Sequence, residues 1–266
     1  MIRDITLGQY FPSDTIVHRL DPRIKLIITV LYIASLFCAK GVTGYLIMLA
    51  WLTGCILLSE INLRVLTRGL RPLLFIMIFT GVLNIFYTPG VPIFQWGFLK
   101  VTQEGIVTAV FMVARIIMLV IGTFLLTYTT SPIMLTDAIE RLLKPLALIR
   151  VPVHDLAMMM TIALRFIPTL IDETDKIMSA QKARGADFES GGIIRRAKAL
   201  IPILVPLFIS AFRRAEELAI AMECRCYRGG EGRTKMRELR LQARDFMALA
   251  VSLIVLAAVI FAGLIV

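Results

Sequence analysis

The chain has 266 residues, 58% of them hydrophobic, and a formal net charge of +10. Its mean hydropathy is +0.81, whereas soluble domains contain only about 45–50% apolar residues. This composition excludes an ordinary soluble domain and indicates lipid as the surrounding solvent. The basic excess favours anionic lipid head groups, and no feature of the sequence calls for nucleic acid.

Runs of about 20 apolar residues predict five membrane-spanning helices. Four of them form an N-terminal membrane domain, residues 1–130, and the fifth is a C-terminal transmembrane helix. The predicted spans are residues 24–39, 44–59, 72–87, 105–128 and 246–266. The first run follows a mixed polar segment without a small-residue cleavage site, which indicates a retained anchor rather than a signal peptide.

The distribution of basic residues predicts the orientation in the membrane. Nineteen of the 29 Lys and Arg residues lie in residues 131–245, whereas the loops on the other side of the predicted spans hold only Lys40 and Lys100. Because Lys and Arg are retained on the cytoplasmic side, we expect residues 131–245 and the N-terminus to be cytoplasmic. The C-terminus is then expected to be external.

The cytoplasmic segment is expected to form a domain of long coupling helices. The predicted helices cover residues 131–146, 152–185 and 193–228. The first is amphipathic and suited to lying along the membrane face. The other two begin apolar, contain internal prolines and end polar. The expected fold class is therefore an all-α polytopic membrane protein with about five transmembrane helices and this cytoplasmic domain.

Each of the two long helices ends in an arginine between small residues. The triads are Ala183-Arg184-Gly185 and Cys224-Arg225-Cys226. A single such end is explained by a cation that favours the helix dipole, followed by an ordinary C-cap. Two matched ends favour a second interpretation, in which an uncrowded guanidinium docks into an acidic groove of a partner.

Arg115 lies in the middle of the fourth predicted span and is a possible intramembrane polar site. An arginine there costs about 2.5–3.5 kcal/mol on insertion scales, so its side chain should face protein or water. Two interpretations are open, a structural hydrogen bond to backbone or to Asn84, and a contact with another membrane subunit. No metal site is predicted, because Cys224 and Cys226 lack a second pair of ligands.

Two other classes of protein compete with a docking subunit. An intramembrane enzyme is disfavoured because the sequence has two histidines and neither an H-E-x-x-H nor a G-x-S-x-G motif. The segment GGEGRTK, residues 229–235, lacks the frame of a phosphate-binding loop. A secondary transporter would show internal repeats and several polar residues near the membrane midplane, and the five spans show no convincing repeat.

Four motifs together resemble the T component, the transmembrane coupling subunit of energy-coupling factor importers. They are LDPRIKL at 20–26, ALRFIPTL at 163–170, QKARGAD at 181–187 and CRCYRGGEGRT at 224–234. In the last motif, Cys224 and Cys226 replace the commoner Ala and Gly. The resemblance covers nearly the whole chain and implies a non-catalytic scaffold in a prokaryotic cell membrane.

The resemblance also implies the partners of the chain. These are two ABC ATPase subunits, which bind ATP and Mg themselves, and a substrate-capturing S component for a vitamin or a transition metal. The chain itself is expected to hold no cofactor. Arg184 and Arg225 are expected to sit one in each ATPase groove, so that closure of the ATPases moves the helices and topples the capture subunit.

Overall fold

The computed structural model describes residues 10–90, 92–96, 99–188, 192–229, 239 and 241–265. Within these residues the chain forms nine α-helices: α1 Pro22–Cys38, α2 Gly41–Ser59, α3 Leu63–Leu70, α4 Leu74–Tyr87, α5 Gln103–Thr129, α6 Pro132–Leu143, α7 Val153–Ala183, α8 Ile193–Cys224 and α9 Ala243–Ile265. Short 3₁₀ segments at Arg71–Leu73 and Lys144–Ile149 follow α3 and α6.

The chain divides into two compact units. One, which we call the bundle, comprises residues 8–135 and 239–266 and contains α1 to α5 and α9. The other, which we call the two-helix unit after α7 and α8, comprises the described residues between 136 and 229 and also contains most of α6. The assignment of residues 131–245 to a cytoplasmic domain stays a prediction.

Polar side chains set the start of several bundle helices. Asp21 caps α1 by accepting the backbone N–H of Arg23 at 2.9 Å, and Pro22 occupies the first turn. Thr102 caps α5 by accepting the backbone N–H of Gly105 at 3.0 Å. These side chains satisfy amides that have no partner within the helix, which is why the helices begin there.

The core of the bundle lies among α1, α2, α5 and α9. It is formed by buried apolar and aromatic side chains, among them Tyr32, Leu36, Met48, Leu52, Met118, Leu125 and Val259. The Tyr32 hydroxyl donates to the Met118 carbonyl oxygen at 2.9 Å, so this buried polar group is satisfied. The Tyr32 ring also fills the space where Gly122 would carry a side chain, which allows α5 to approach α1 closely.

A two-stranded antiparallel hairpin lies between α4 and α5. Its strands are β1 Pro92–Trp96 and β2 Leu99–Thr102, with Gln95 opposite Lys100 and a register shift between Pro92 and Phe94. The sequence predicted a loop here, because this stretch lies between two predicted spans. The hairpin was missed because its strands are short and carry only a few alternating residues, which is a weak periodic signal.

Five of the described helical segments are long and apolar enough to cross a membrane: Gly41–Ser59, Leu63–Tyr87, Gln103–Thr129, Val153–Ala183 and Ala243–Leu264. The expected all-helical multi-pass membrane protein is thereby confirmed, with the hairpin as a small addition. The segments differ in one respect from the predicted spans. The predicted first span is α1, which has only 17 residues, whereas α7 qualifies because its first half is apolar.

The motif LDPRIKL forms a polar cluster at the end of the bundle where α1 and α9 begin. Both oxygens of the buried Asp245 carboxylate accept backbone N–H groups, from Asp21 and from Gln242, at 2.8 Å each. Asp21 in turn forms an ion pair with Arg23 at 2.9 Å. Arg23 also donates to the Leu239 carbonyl oxygen at 2.9 Å. The first turn of α1 is therefore tied to the chain that leads into α9.

Lys25 extends this cluster to the end of α5. Its buried ammonium donates to the carbonyl oxygens of Thr129 at 2.8 Å and His18 at 3.2 Å, and to the Thr130 hydroxyl at 3.4 Å. All three N–H donors of the ammonium are thus used. Burial, followed by the nearby Lys25 charge, lowers the pKa of the His18 imidazole, because both disfavour a second positive charge in the cluster.

Candidate functional site

Arg184 is the C-cap residue of α7. The N–H of Gly185 donates to the Lys182 carbonyl oxygen at 3.0 Å, and the N–H of Ala186 donates to the Gln181 carbonyl oxygen at 3.0 Å. This pair of bonds is the Schellman motif, in which the residue after the C-cap is left-handed. Gly185 fills that position at φ +84°, and Ala183 is the last helical residue.

Arg225 holds the same position at the end of α8. The N–H of Cys226 donates to the Glu223 carbonyl oxygen at 2.8 Å, and the N–H of Tyr227 donates to the Met222 carbonyl oxygen at 3.0 Å. The backbone of Arg225, at φ −91° and ψ 13°, matches that of Arg184, at φ −86° and ψ 6°. Both arginines therefore cap their helices through one hydrogen-bond pattern, and Cys224 is the last helical residue of α8.

We call Arg184 with Gly185, and Arg225 with Cys226, the arginine tips. All six residues of the two predicted triads are exposed. Neither tip guanidinium has a hydrogen bond or an ion pair within the parts of the chain that the structure describes. Each tip has an exposed cation beside it, Lys182 in one case and Arg228 in the other. The tips thus present positive charge and N–H donors without an acceptor among the described residues. Residues 230–234 of the second motif lie outside the described residues.

The departure of the second triad from glycine has a visible consequence. Cys226 adopts φ +56°, in the left-handed region that glycine occupies in the first triad. This conformation costs a residue that has a Cβ atom about 1–2 kcal/mol relative to glycine. Cys226→Gly should therefore stabilise the last turn of α8 by about 1 kcal/mol. Hydrogen exchange at the amides of Cys226 and Tyr227 measures this effect and should slow in the variant.

The first triad supplies the matched control. Gly185→Cys should destabilise the end of α7 to a similar extent, although a Cβ atom there would meet open space. Ala183→Cys, at a helical position, should change little. Equal exchange rates in Cys226→Gly and the unchanged chain would show that the left-handed cysteine carries no strain.

A polar contact, which we call the clasp, joins α7 to α8. Glu173 on α7 accepts a hydrogen bond from the Ser210 hydroxyl and forms an ion pair with Arg214 at 3.0 Å. Farther along, the Gln181 side-chain amide donates to the Pro202 carbonyl oxygen at 3.4 Å. The later residue of α7, Gln181, thus contacts the earlier residue of α8, Pro202. The two helices therefore run antiparallel where they touch.

The clasp lies at the same distance from each arginine tip. Arg184 follows Glu173 by eleven residues, and Arg225 follows Arg214 by eleven residues. At 1.5 Å per residue, each arm is about 16 Å long. Because the helices are antiparallel at the clasp, the two arms leave it in opposite directions and carry the tips on opposite sides.

The clasp was not predicted from the sequence. Among the described residues Arg213 forms no ion pair, and the adjacent Arg214 makes the contact with Glu173. One signal was available. Ser210 and Arg214 are four residues apart and therefore share a helix face, which suggests a common partner on another helix.

Arg115 occupies an aromatic environment within the bundle. Its guanidinium carbon lies 5.7 Å from the centroid of the Phe37 ring and 5.7 Å from that of Tyr45. Of the alternatives for Arg115, a hydrogen bond to Asn84 is not formed among the described residues, and the Asn84 amide donates to the Thr80 carbonyl oxygen at 2.9 Å. Cation–π contacts of this kind contribute about 2 kcal/mol when desolvated, so they offset part of the cost of the charge. A contact of Arg115 with another subunit stays a prediction.

Comparison with known proteins places these features in a family. The cobalt transport protein (CbiQ) family matches residues 13–236. The chain is 58% identical over 250 residues to the energy-coupling factor transporter transmembrane protein EcfT of Clostridium kluyveri, covering 93% of each protein. It is 54% identical to the EcfT protein of Ruminiclostridium cellulolyticum, and the match covers 96% of this chain and 95% of that protein. It is 50% identical to that of Bacillus subtilis, with 98% of each covered.

These similarities extend over both the bundle and the two-helix unit. The shared description is that of a transmembrane subunit of a transporter, which confirms the predicted non-catalytic role. A resident cofactor is not part of that role. The chain therefore belongs to the CbiQ family and, within it, to the EcfT proteins, the transmembrane T components of energy-coupling factor transporters.

Proposed function

We propose that the chain couples two ATPase subunits to a substrate-capturing membrane subunit, for uptake of a vitamin or a transition metal. The observation that carries this proposal is the pair of arginine tips. Two long helices end in one backbone geometry and present a guanidinium without a partner among the described residues. A lone helix cap would not account for the repetition.

The chemistry of the tips selects an acidic groove as the partner surface. A guanidinium offers five N–H donors in a planar fork that matches a carboxylate. Charge-assisted bonds of this kind are about twice as strong as neutral ones. The neighbouring Lys182 and Arg228 add attraction at longer range. Two tips on opposite sides of the clasp suit two copies of such a groove, one on each ATPase.

The apolar part of α8 is suited to the second partner. Its exposed side chains include Leu204, Phe208, Ile209 and Phe212, of which Phe212 is 72% exposed. Phe208 and Phe212 stack along the helix with ring centroids 6.5 Å apart. A surface of this kind is covered by lipid or by another membrane protein. In this proposal the capture subunit contacts it, so that motion of the tips reaches the capture subunit through α8.

Co-purification tests the proposed assembly. The chain, expressed with its neighbours in native membranes and solubilised gently, should retain two ATPase subunits and a small membrane protein. ATP hydrolysis should appear only when the ATPases are present, because the chain has no phosphate-binding loop. ATP turnover by the purified chain alone would overturn the proposal.

The proposed orientation has a cytoplasmic N-terminus, an external C-terminus and a cytoplasmic two-helix unit. It predicts which single cysteines an impermeant thiol reagent reaches from outside intact cells, in a background without Cys38, Cys55, Cys224 and Cys226. Lys40→Cys and Pro89→Cys should be labelled, since both positions are exposed at turns on the predicted external side. Leu148→Cys and Asp187→Cys should be labelled only after the cells are opened.

The last two positions also decide whether α7 crosses the membrane. Leu148 is 89% exposed and precedes α7, and the exposed Asp187 follows it. If α7 is cytoplasmic throughout, both positions have the same accessibility. External labelling of one of them but not the other would show that α7 spans the bilayer.

A further inference from the structure

The bundle contains a cavity of about 340 Å³ at one end. Four helices line it, and every lining segment lies at the same end of the bundle. These segments lie within residues 16–32, which include the turn before α1 and its N-terminal part, residues 51–58 at the end of α2, residues 122–129 at the end of α5 and residues 244–251 at the start of α9. The lining is almost entirely apolar and includes Trp51, Leu125 and Val251. The cavity is therefore suited to a hydrocarbon chain rather than to a polar solute.

Two cations, Lys25 and Arg244, lie on the wall of this apolar cavity. They differ in their hydrogen bonds. The Lys25 ammonium donates three hydrogen bonds to protein oxygens. The Nε atom of Arg244, in contrast, is buried and has no hydrogen-bond partner among the described residues. Among the described residues no ion pair joins Arg244 to the adjacent Asp245, whose two carboxylate oxygens accept backbone N–H groups instead.

A buried guanidinium donor without a partner is costly, and proteins normally satisfy such a group. The missing acceptor has to be anionic or strongly polar, and it has to reach a site walled by hydrocarbon. An acyl chain in the cavity would carry its own head group to the end of the bundle where Arg244 lies. A phospholipid combines both properties in one molecule.

We propose that this cavity binds an anionic phospholipid, with an acyl chain between the helices and the phosphate group at Arg244. The proposal rests on the proposed orientation for one point, that the cavity opens toward the cytoplasmic leaflet. That leaflet carries the anionic lipids, and basic pockets between transmembrane helices on that side bind anionic head groups. The lipid would fill the gap among α1, α2, α5 and α9 and satisfy Arg244.

Trp51 provides a probe inside the cavity. The chain has two tryptophans, so Trp96→Phe leaves Trp51 as the only one. The purified full chain is reconstituted into phosphatidylcholine vesicles that contain increasing fractions of brominated phosphatidylglycerol or of brominated phosphatidylcholine. Bromine on the acyl chain quenches tryptophan fluorescence on contact. Half-maximal quenching should need a fraction of brominated phosphatidylglycerol that is about fivefold lower than that of brominated phosphatidylcholine. This is the preference expected for one added contact between a cation and an anionic head group.

Two variants and one control locate the site. Arg244→Gln should abolish the preference for phosphatidylglycerol and leave quenching by phosphatidylcholine unchanged. Ala248→Phe narrows the cavity and should reduce quenching by both lipids. Arg64→Gln removes an exposed cation that does not line the cavity and should behave as the unchanged chain does.

Three results would overturn the proposal. One is equal quenching by the two lipids in the unchanged chain. Another is a loss of preference in Arg64→Gln as large as that in Arg244→Gln, because the effect would then come from general surface charge. The third is unchanged quenching in Ala248→Phe, which would place the lipid outside the cavity. The vesicles have the same composition in both leaflets and contain no partner proteins, so the outcome is independent of the proposed orientation and assembly.

Discussion

Replacing Arg184 or Arg225 by alanine should detach one ATPase from the complex and sharply reduce uptake. Loss of one partner of a buried, hydrogen-bonded ion pair costs about 2–5 kcal/mol, part of it the penalty on the carboxylate left unpaired. Since about 1.4 kcal/mol corresponds to a tenfold change in affinity, each variant should bind its ATPase at least tenfold more weakly. Both variants should accumulate normally, because the tip side chains are exposed.

Lysine at the same positions separates docking from helix capping. In the docking proposal, Arg184→Lys and Arg225→Lys rescue poorly, because a point charge cannot reproduce the planar fork of a guanidinium. If the arginines only favour the helix dipole, alanine costs about 0.3–1 kcal/mol and lysine restores the effect. The Schellman geometry of both ends is compatible with either role, so the backbone alone does not decide between them.

The measurements are uptake by cells and co-purification of the ATPases for each variant. Lys182→Ala and Arg228→Ala are matched controls, because each removes an exposed cation beside a tip but leaves the capping residue in place. The controls should retain most of the uptake and both ATPases, because Lys182 and Arg228 add only attraction at longer range. Normal uptake with both ATPases attached in Arg184→Ala and Arg225→Ala would mean that the tips are helix caps only.

The helices and their ends could be predicted from the sequence because the signals are local. Apolar runs give the long helices, and Gly185 directly after Arg184 is the ordinary mark of a C-cap. The end of α8 lacks that glycine. It was recognised only because its arginine repeats the first pattern, and the structure shows that Cys226 takes the left-handed conformation without glycine.

The contacts between helices could not be predicted in the same way. Neighbouring residues on a helix point about 100° apart, so Arg213 and Arg214 face different directions. Which of them meets α7 depends on how the two helices pack, and no local signal reports that. The environment of Arg115 is a similar case, because Phe37 and Tyr45 come from α1 and α2, far from Arg115 in sequence.

Reversing the charge on one side of the clasp should uncouple ATP hydrolysis from uptake. Glu173→Arg places a cation against Arg214, and Arg214→Glu places a carboxylate against Glu173. Either change replaces attraction by repulsion at the point from which both arms extend. The tips are untouched, so the ATPases should stay bound and continue to hydrolyse ATP. Uptake per ATP should fall by about 2- to 30-fold, the range for residues that lie on a coupling network.

The double variant provides the decisive comparison. Glu173→Arg combined with Arg214→Glu restores an ion pair across the same two helices, although the hydrogen bond from Ser210 to a carboxylate is lost. Uptake per ATP should therefore recover in large part, and the two single effects should be strongly non-additive, as is usual for residues in contact. Ser210→Ala alone should have a smaller effect, since the ion pair remains.

Arg213→Glu is the matched control for charge reversal, because Arg213 is exposed and has no ion pair among the described residues. It should leave the ratio of uptake to ATP hydrolysis near that of the unchanged chain. General destabilisation of the two-helix unit would lower the amount of complex, the ATPase activity and uptake together, and the double variant would not recover. A fall in uptake per ATP while the ATPases stay attached is the result that the clasp explains and general destabilisation does not. If both single reversals transport normally, α7 and α8 transmit motion without the clasp, and their apolar contacts must hold the arms together.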